Sequence, residues 1–238
     1  MEINPIIVIP IRTKSVRLPN KPFADINGKN MIQRVVNQAL KANIATVIVA
    51  SCNDSPDSEL EKLGVPYVKT DSKLPSGTDR VYDALKKYDP SKKYNVVVNL
   101  QGDMPFFPPE YIEKTINAFN DEKIDISTIT YPSSPEYSKN PNRVKAVICE
   151  NGKALYFSRC PIPHGADSYN IHMGIYAYKR HAIEKIINTN STYLENTEKL
   201  EQLRALEIGM HIHCISVECD TISVDTKEDL DNAIKFSK

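Results

Sequence analysis

Residues 5–50 read PIIVIPIRTKSVRLPNKPFADINGKNMIQRVVNQALKANIATVIVA. Ile6 to Ile9 is a short apolar run, Met31 to Ala42 repeats its apolar residues at helical spacing, and Thr46 to Ala50 is apolar again, so the segment predicts a βαβ opening. Outward from it the alternation continues. A helix is expected near Asp57 to Leu63, a strand at Val65 to Lys69, a helix from Thr78 to Tyr88 and a strand at Asn95 to Leu100. Next come a helix opened by Pro108 and Pro109 and running to Phe119, and a strand at Asp125 to Thr130. This order predicts the α/β class, a three-layer domain whose mostly parallel sheet is covered on both faces.

After about Pro132 the rhythm changes. Val144 to Cys149, the turn Asn151-Gly152 and Ala154 to Phe157 predict a β-hairpin, which adds antiparallel strands and makes the sheet mixed. A strand from Ile171 to Tyr178 precedes helices at His181 to Ile187 and Glu198 to Ile208, the latter with Leu200, Leu203 and Leu206 on its buried face. Strands at His211 to Glu218 and Ile222 to Val224 and a helix from Lys227 to Phe236 close the chain. The expected organisation is a single domain over 1–238 with a lobe inserted at about 132–220.

At 238 residues the chain has room for a sizeable core, and 41% hydrophobic with 25% charged residues excludes a disordered or collagen-like protein. Thirty Lys+Arg balance thirty Asp+Glu, which argues against nucleic acid or an anionic membrane as partner, so any anion site must be local. The early apolar run follows Glu2 and is too short for a membrane span or a signal peptide, pointing to a cytoplasmic protein without membrane insertion. Cys52, Cys149, Cys160, Cys214 and Cys219 contain no C-x-x-C pair and read as buried thiols, neither a disulfide framework nor a zinc site.

Glycine-rich phosphate signatures are absent, so side-chain cations must hold any phosphate. Arg12, Lys14, Arg17 and Lys21 follow the first strand with no acid before Asp25. The loop leaving the carboxyl end of that strand borders the ligand crevice of an α/β sheet, where these cations can converge on a nucleoside triphosphate; a solvated basic loop is the alternative. Pro10, Pro19 and Pro22 restrict the backbone and favour the binding loop. Asp103, in Gln101-Gly102-Asp103, ends a strand facing the same crevice, and Asp225 follows Ile222 to Val224 in a similar position. Two such carboxylates suit Mg²⁺, which takes a few carboxylates plus phosphate oxygens and water. Equally, Asp103 can be a turn residue and Asp225 a helix N-cap. Ser76 to Arg80 opens a helix that can hold an anion or simply be capped. His211 and His213 read as core or surface residues. His172 is of more interest, because Gly174 beside it lets a ligand or backbone come close.

Taken in order, these pieces resemble the 3-deoxy-manno-octulosonate cytidylyltransferase (CMP-Kdo synthetase) family. The resemblance runs from Val8 to Leu230 through Ile9 to Arg12, Ser15, Arg17 to Pro19, Lys21-Pro22, Ser76 to Arg80 and Gln101 to Asp103. It continues through Asn140 to Asn142, Val144-Lys145, Ala154 to Arg159, His172 to Tyr176, Leu200 to Arg204 and Val224 to Leu230. It implies a nucleotide-diphospho-sugar transferase-like domain that moves CMP from CTP to the anomeric hydroxyl of Kdo, a 2-keto-3-deoxy sugar acid, releasing pyrophosphate for lipopolysaccharide synthesis. It further implies that Arg12, Ser15, Arg17 and Lys21 hold the triphosphate, with Arg80 as an addition, and that Gln101 helps seat the cytidine. Asp103 and Asp225 are implied as ligands of catalytic Mg²⁺, Arg159, His172, Tyr176, Glu201 and Gln202 as sugar-acid contacts with Lys145 as an addition, and a homodimer as the assembly. The sequence departs from the family pattern in Asn20 in place of Gly, Met104 in place of an acid, and a shortened span between Arg159 and His172. Two rivals are a cytidylyltransferase for amino-Kdo or a nonulosonic acid, and a non-catalytic nucleotide sensor.

Overall fold

The computed structural model describes residues 2–15, 17–218 and 221–237. Its chain forms two compact units, residues 1–113 with 221–238, and residues 114–220.

In the first unit β1 (Pro5–Ile11) is flanked by parallel partners. A short hairpin, β2 (Asp25–Ile26) and β3 (Lys29–Asn30), leads into α1 (Met31–Ala42), and β4 (Thr46–Cys52) pairs parallel with β1. After α2 (Asp57–Glu61), β5 (Tyr67–Thr70) pairs parallel with β4. After α3 (Gly77–Tyr88), β6 (Val96–Leu100) pairs parallel with β1 on its other side. Ile6, Ile7, Val8 and Ile9 are fully buried, as an unbroken apolar strand in a parallel sheet should be. Helix α1 buries Met31, Ile32, Val35, Val36 and Ala39 along one stripe, and a capping box between Asn30 and Gln33 satisfies its first amides. Each of the larger of these side chains, the Met, Ile and Val, contributes roughly 1.5–3 kcal/mol on burial. The hairpin turn Asn27-Gly28, with φ of 48° and 81°, has the two left-handed residues of a tight turn.

Helix α4 (Glu110–Asn117) is followed, in the second unit, by β7 (Ile126–Ser133), the one-turn α5 (Pro135–Ser138), and the expected hairpin β8 (Lys145–Ile148) and β9 (Ala154–Ser158). β10 (Tyr169–Lys179) runs antiparallel to β7 and β8, with a bulge between Met173 and Tyr176 where Gly174 lies. After α6 (Arg180–Ile187) comes a helix the sequence did not predict, α7 (Tyr193–Glu198), and the helix expected at Glu198 to Ile208 is corrected to the shorter α8 (Gln202–Glu207). Lys199 ends α7 in the left-handed region with φ of 56°, and Leu206 is only half-buried, unlike Leu200 and Leu203. β11 (Ile212–Ser216) lies parallel to β7, and the class is α/β with a mixed sheet.

The closing segment returns to the first unit. Ile222 to Val224 forms no strand, a second correction, and α9 (Lys227–Phe236) follows. Leu18, Ile26, Met31, Val224, Leu230 and Ala233 pack into a separate small core, which ties this segment to the loop after β1.

Candidate active site

The first unit carries a cleft of about 520 Å³, within the range of small-ligand sites. Its walls come from the loop after β1, the start of α3, the end of β6 and Asp225. Arg12, Ser15, Arg17, Lys21, Arg80, Gln101, Asp103 and Asp225 all line it.

The chain conformation explains why they meet. Asn20 takes φ of 54°, a left-handed turn that Asn tolerates, and starts the 3₁₀ turn Lys21–Phe23. Val224, fully buried, donates its amide to the Asp103 carbonyl at 2.9 Å, which sets Asp225 beside Asp103. The Lys21 ammonium lies between the two, 2.7 Å from Asp103 Oδ2 and 2.9 Å from Asp225 Oδ1, while Arg17 reaches Asp225 Oδ2 at 3.4 Å. Burial alone would pull the Lys21 ammonium down, but the charge and hydrogen bond of Asp103, then those of Asp225, outweigh it and raise it above the ordinary lysine value. Asp225 is not the cap of α9; Thr226 is, its hydroxyl accepting from the Asp229 amide in a capping box.

Gly102 has a packing reason: a Cβ there would stand 3.0 Å from Ile11 Cγ2 and 3.2 Å from the Pro10 carbonyl oxygen. Gln101 donates to Asn99 Oδ1 at 3.2 Å beside Gly77. Ser76 caps α3 by accepting from the Asp79 amide at 3.1 Å. Arg80, 4% exposed, gives its guanidinium to Thr70 Oγ1 and the Asp71 carbonyl, bracing the wall behind the cleft. Lys14 pairs with Asp54 at 3.3 Å.

Among the described residues no three His, Cys, Asp or Glu side chains gather as a metal set. Asp103 and Asp225 do converge on one point that a cationic group, the Lys21 ammonium, fills. Two carboxylates with room for phosphate oxygens and water fit a hard, oxygen-seeking cation.

The second unit carries the other expected residues. The His172 ring meets Tyr176 at 5.0 Å and Phe157 edge-on at 5.5 Å. His172 Nε2 is 2.9 Å from Thr128 Oγ1, whose hydroxyl lies 2.8 Å from the Ile175 carbonyl. Donation from Nε2–H to Thr128, and from Thr128 to Ile175, leaves Nδ1 as the acceptor. Burial pushes His172 down to about 4, so the ring is neutral at physiological pH. Burial, followed by Tyr178, Glu201 and Cys214, holds the Tyr176 phenol well above its ordinary value. Glu201 and Gln202 begin the second helical piece, half-buried.

Arg159 Nε donates to the Glu198 carbonyl at 2.8 Å, with further bonds to the carbonyls of Pro141 at 3.0 Å and Lys199 at 3.2 Å. Lys145 is fully buried, its ammonium donating to the carbonyls of Asn140 and Arg159. Burial, before smaller effects of Cys160, Arg159 and Glu198, draws it below the ordinary lysine value. In that geometry Lys145 braces the backbone at Asn140 and Arg159, the latter being one of the sugar-acid contacts the resemblance implied. Sequence reasoning missed Glu198 and Thr128, which carry no motif. Of the thiols, Cys52 and Cys214 are buried, but Cys149 is half-buried and Cys160 exposed, each lying just beyond the end of a hairpin strand; Cys219 lies outside the described residues.

Comparison with known proteins bears on the family and the fold. A family model described as cytidylyltransferase matches residues 6–212. The 3-deoxy-manno-octulosonate cytidylyltransferase of Rickettsia prowazekii is 42% identical over 232 residues, 98% of this chain and 94% of that protein. That of Paramagnetospirillum magneticum is 40% identical over 238 residues, covering 98% and 97%. The chain belongs to the 3-deoxy-manno-octulosonate cytidylyltransferase family. A solved CMP:2-keto-3-deoxy-manno-octonic acid synthetase complexed with CTP is 34% identical, with a TM-score of 0.90 over 98% of both chains. The HddC protein of Yersinia pseudotuberculosis, at 16% identity and a TM-score of 0.70 over 98% and 99%, shares the fold. Of this cytidylyltransferase's departures, Asn20 supplies the left-handed turn itself, and Met104 is a core residue, 3% exposed, directed away from water. No helix among the described residues is long and apolar enough to cross a membrane.

Proposed function

We propose that this protein transfers CMP from CTP to the anomeric hydroxyl of 3-deoxy-D-manno-octulosonate, releasing pyrophosphate. The observation that carries the reading is the Lys21 ammonium held between Asp103 and Asp225 in a cation-lined cleft, in a member of this family. In this reading the sugar oxygen bonds to the α-phosphorus as its hydroxyl proton passes to water and the bond to pyrophosphate breaks, so the need is positioning and charge neutralisation rather than a covalent enzyme intermediate. Arg12, Arg17 and Lys21 neutralise the triphosphate, Ser15 donates to it, and Gln101 seats the base beside the start of α3. Asp103 and Asp225 would hold Mg²⁺, which supplies further positive charge to the phosphate oxygens. Arg80 holds the cleft wall.

In the second unit, neutral His172 offers Nδ1 as an acceptor for a sugar hydroxyl, and Tyr176 offers a phenol that stays protonated. Glu201 and Gln202 add hydroxyl acceptors, and the outer N–H groups of Arg159 attract the sugar carboxylate. The working form is a homodimer, which light scattering on the purified protein checks. Its setting is the cytoplasm, where CTP is available. The deciding experiment is pyrophosphate release with CTP, Mg²⁺ and a panel of sugar acids. Release with Kdo, lost when Mg²⁺ is chelated, supports the reading; CTP binding with no release for any sugar acid overturns it.

A further inference from the structure

Glu198 lies outside every motif named above, yet it ties two parts of the second unit together. Its Oε1 accepts from the Ser158 hydroxyl at 2.6 Å and its Oε2 from the Arg159 amide at 2.9 Å, so both oxygens are held by the end of β9. Its own carbonyl, and that of Lys199, accept from the Arg159 guanidinium. Side chain and main chain are thus clamped at one point, where α7 stops and Lys199 turns left-handed, a conformation that L-residues adopt when their surroundings impose it. Arg159 is seated in turn by the Lys145 ammonium on its carbonyl. Two residues beyond the turn the chain presents Glu201, whose charge acts on Tyr176, and then Gln202.

We propose that Glu198 is a positioning residue for sugar-acid recognition: its grip on Ser158 and Arg159 fixes the Lys199 turn and so sets where Glu201 stands at the start of α8. The proposal rests on the reading that Glu201 contacts the sugar acid. A carboxylate is needed because two converging donors, a hydroxyl and an amide, must both be accepted. An amide side chain serves only one of them without turning its NH₂ toward the other.

The test is steady-state kinetics with Kdo and CTP varied separately, on the full-length protein and its variants Glu198→Ala, Glu198→Gln, Glu201→Ala and the Glu198→Ala/Glu201→Ala double. Glu198→Ala should raise the sugar KM about 10-fold with the CTP KM changed less than about 2-fold, and Glu198→Gln should recover part of the loss. The double variant should be no worse for sugar than Glu201→Ala alone, since Glu198 acts through Glu201. If Glu198→Ala does not accumulate as folded protein, Glu198→Gln and its double with Glu201→Ala carry the same comparison. If Glu201→Ala raises the sugar KM but the Glu198 variants leave it unchanged, add to it independently, or raise both KM values together, the positioning role is overturned. If Glu201→Ala leaves the sugar KM unchanged, the sugar-site reading falls, and this proposal with it.

Discussion

Replacing Lys21 with Met keeps most of the side chain's length and removes its charge, leaving Asp103 and Asp225 facing each other. Both bound oxygens lie within 3 Å of the Lys21 nitrogen, at 2.7 and 2.9 Å. Their separation is therefore at most about 5.6 Å, where two unit charges repel by roughly 0.7 kcal/mol in bulk water and about 3 kcal/mol at an effective dielectric of 20. Asp225 is 43% exposed and Asp103 22%, so the lower half of that range applies, and Lys21→Met should destabilise the fold by about 1–2 kcal/mol. At this chain length that is a fall of about 2–4 °C in Tm per kcal/mol. The raised Lys21 value fixes the pH window: a lysine held above its ordinary value contributes fully below about pH 10.5 and loses its contribution only as pH rises through the folded value. Assays at pH 7.5 therefore see the whole effect. Two measurements follow. In thermal unfolding the deficit should be largest in 20 mM NaCl and shrink in 1 M NaCl, where the Debye length falls to about 3 Å. In calorimetric titration with Mn²⁺ and no nucleotide, the variant should bind metal about 10-fold more tightly, because no ammonium has to leave the carboxylates first. A variant as stable as the parent protein at low salt, with unchanged Mn²⁺ affinity, would refute the view that Lys21 stands in for a cation between these two acids.

Three further outcomes are expected. Asp225→Asn should nearly abolish turnover while Tm stays within about 2 °C, since Thr226 and Asp229 still cap α9; near-normal rates at limiting Mg²⁺ would remove the metal role. Gly102→Ala must press a methyl group on Ile11 and the Pro10 carbonyl, costing about 1–3 kcal/mol and more activity than stability, as comparison of Tm with kcat should reveal. His172, lowered to about 4 by burial, contributes stability that is present above the unfolded value near 6.5 and lost as pH falls toward 4. The residue as a whole is half-buried, so the roughly 3 kcal/mol that this lowering represents is an upper bound, and His172→Gln should flatten urea stability between pH 6.5 and 4; an unchanged acid limb would exclude His172 as its source.

The sequence was most legible where one local rule governs the backbone. Met31–Ala42 carries both its cap and its apolar stripe within the same stretch, and β1 is apolar because parallel partners flank it on both sides. The break at Lys199 was not legible, because Glu198, Lys199 and Leu200 show no glycine, proline or change of period. At the break Lys199 turns left-handed, and Arg159, some forty positions earlier, donates to the carbonyls of Glu198 and Lys199. The same distinction runs through the candidate site. The basic loop and the strand-end aspartate could be read from composition and position. That Asp225 faces Lys21 rather than capping α9 depends on Val224 bonding to the Asp103 carbonyl and burying itself among Leu18, Ile26 and Met31. Thr226, one residue on, is free to cap only because that core fixes where the helix begins. A site residue's chemistry is thus written in its own codon, but its partner is chosen by apolar neighbours far along the chain. Loosening that small core, at Leu18 or Leu230, should therefore disturb the Lys21–Asp225 pair without touching either charge.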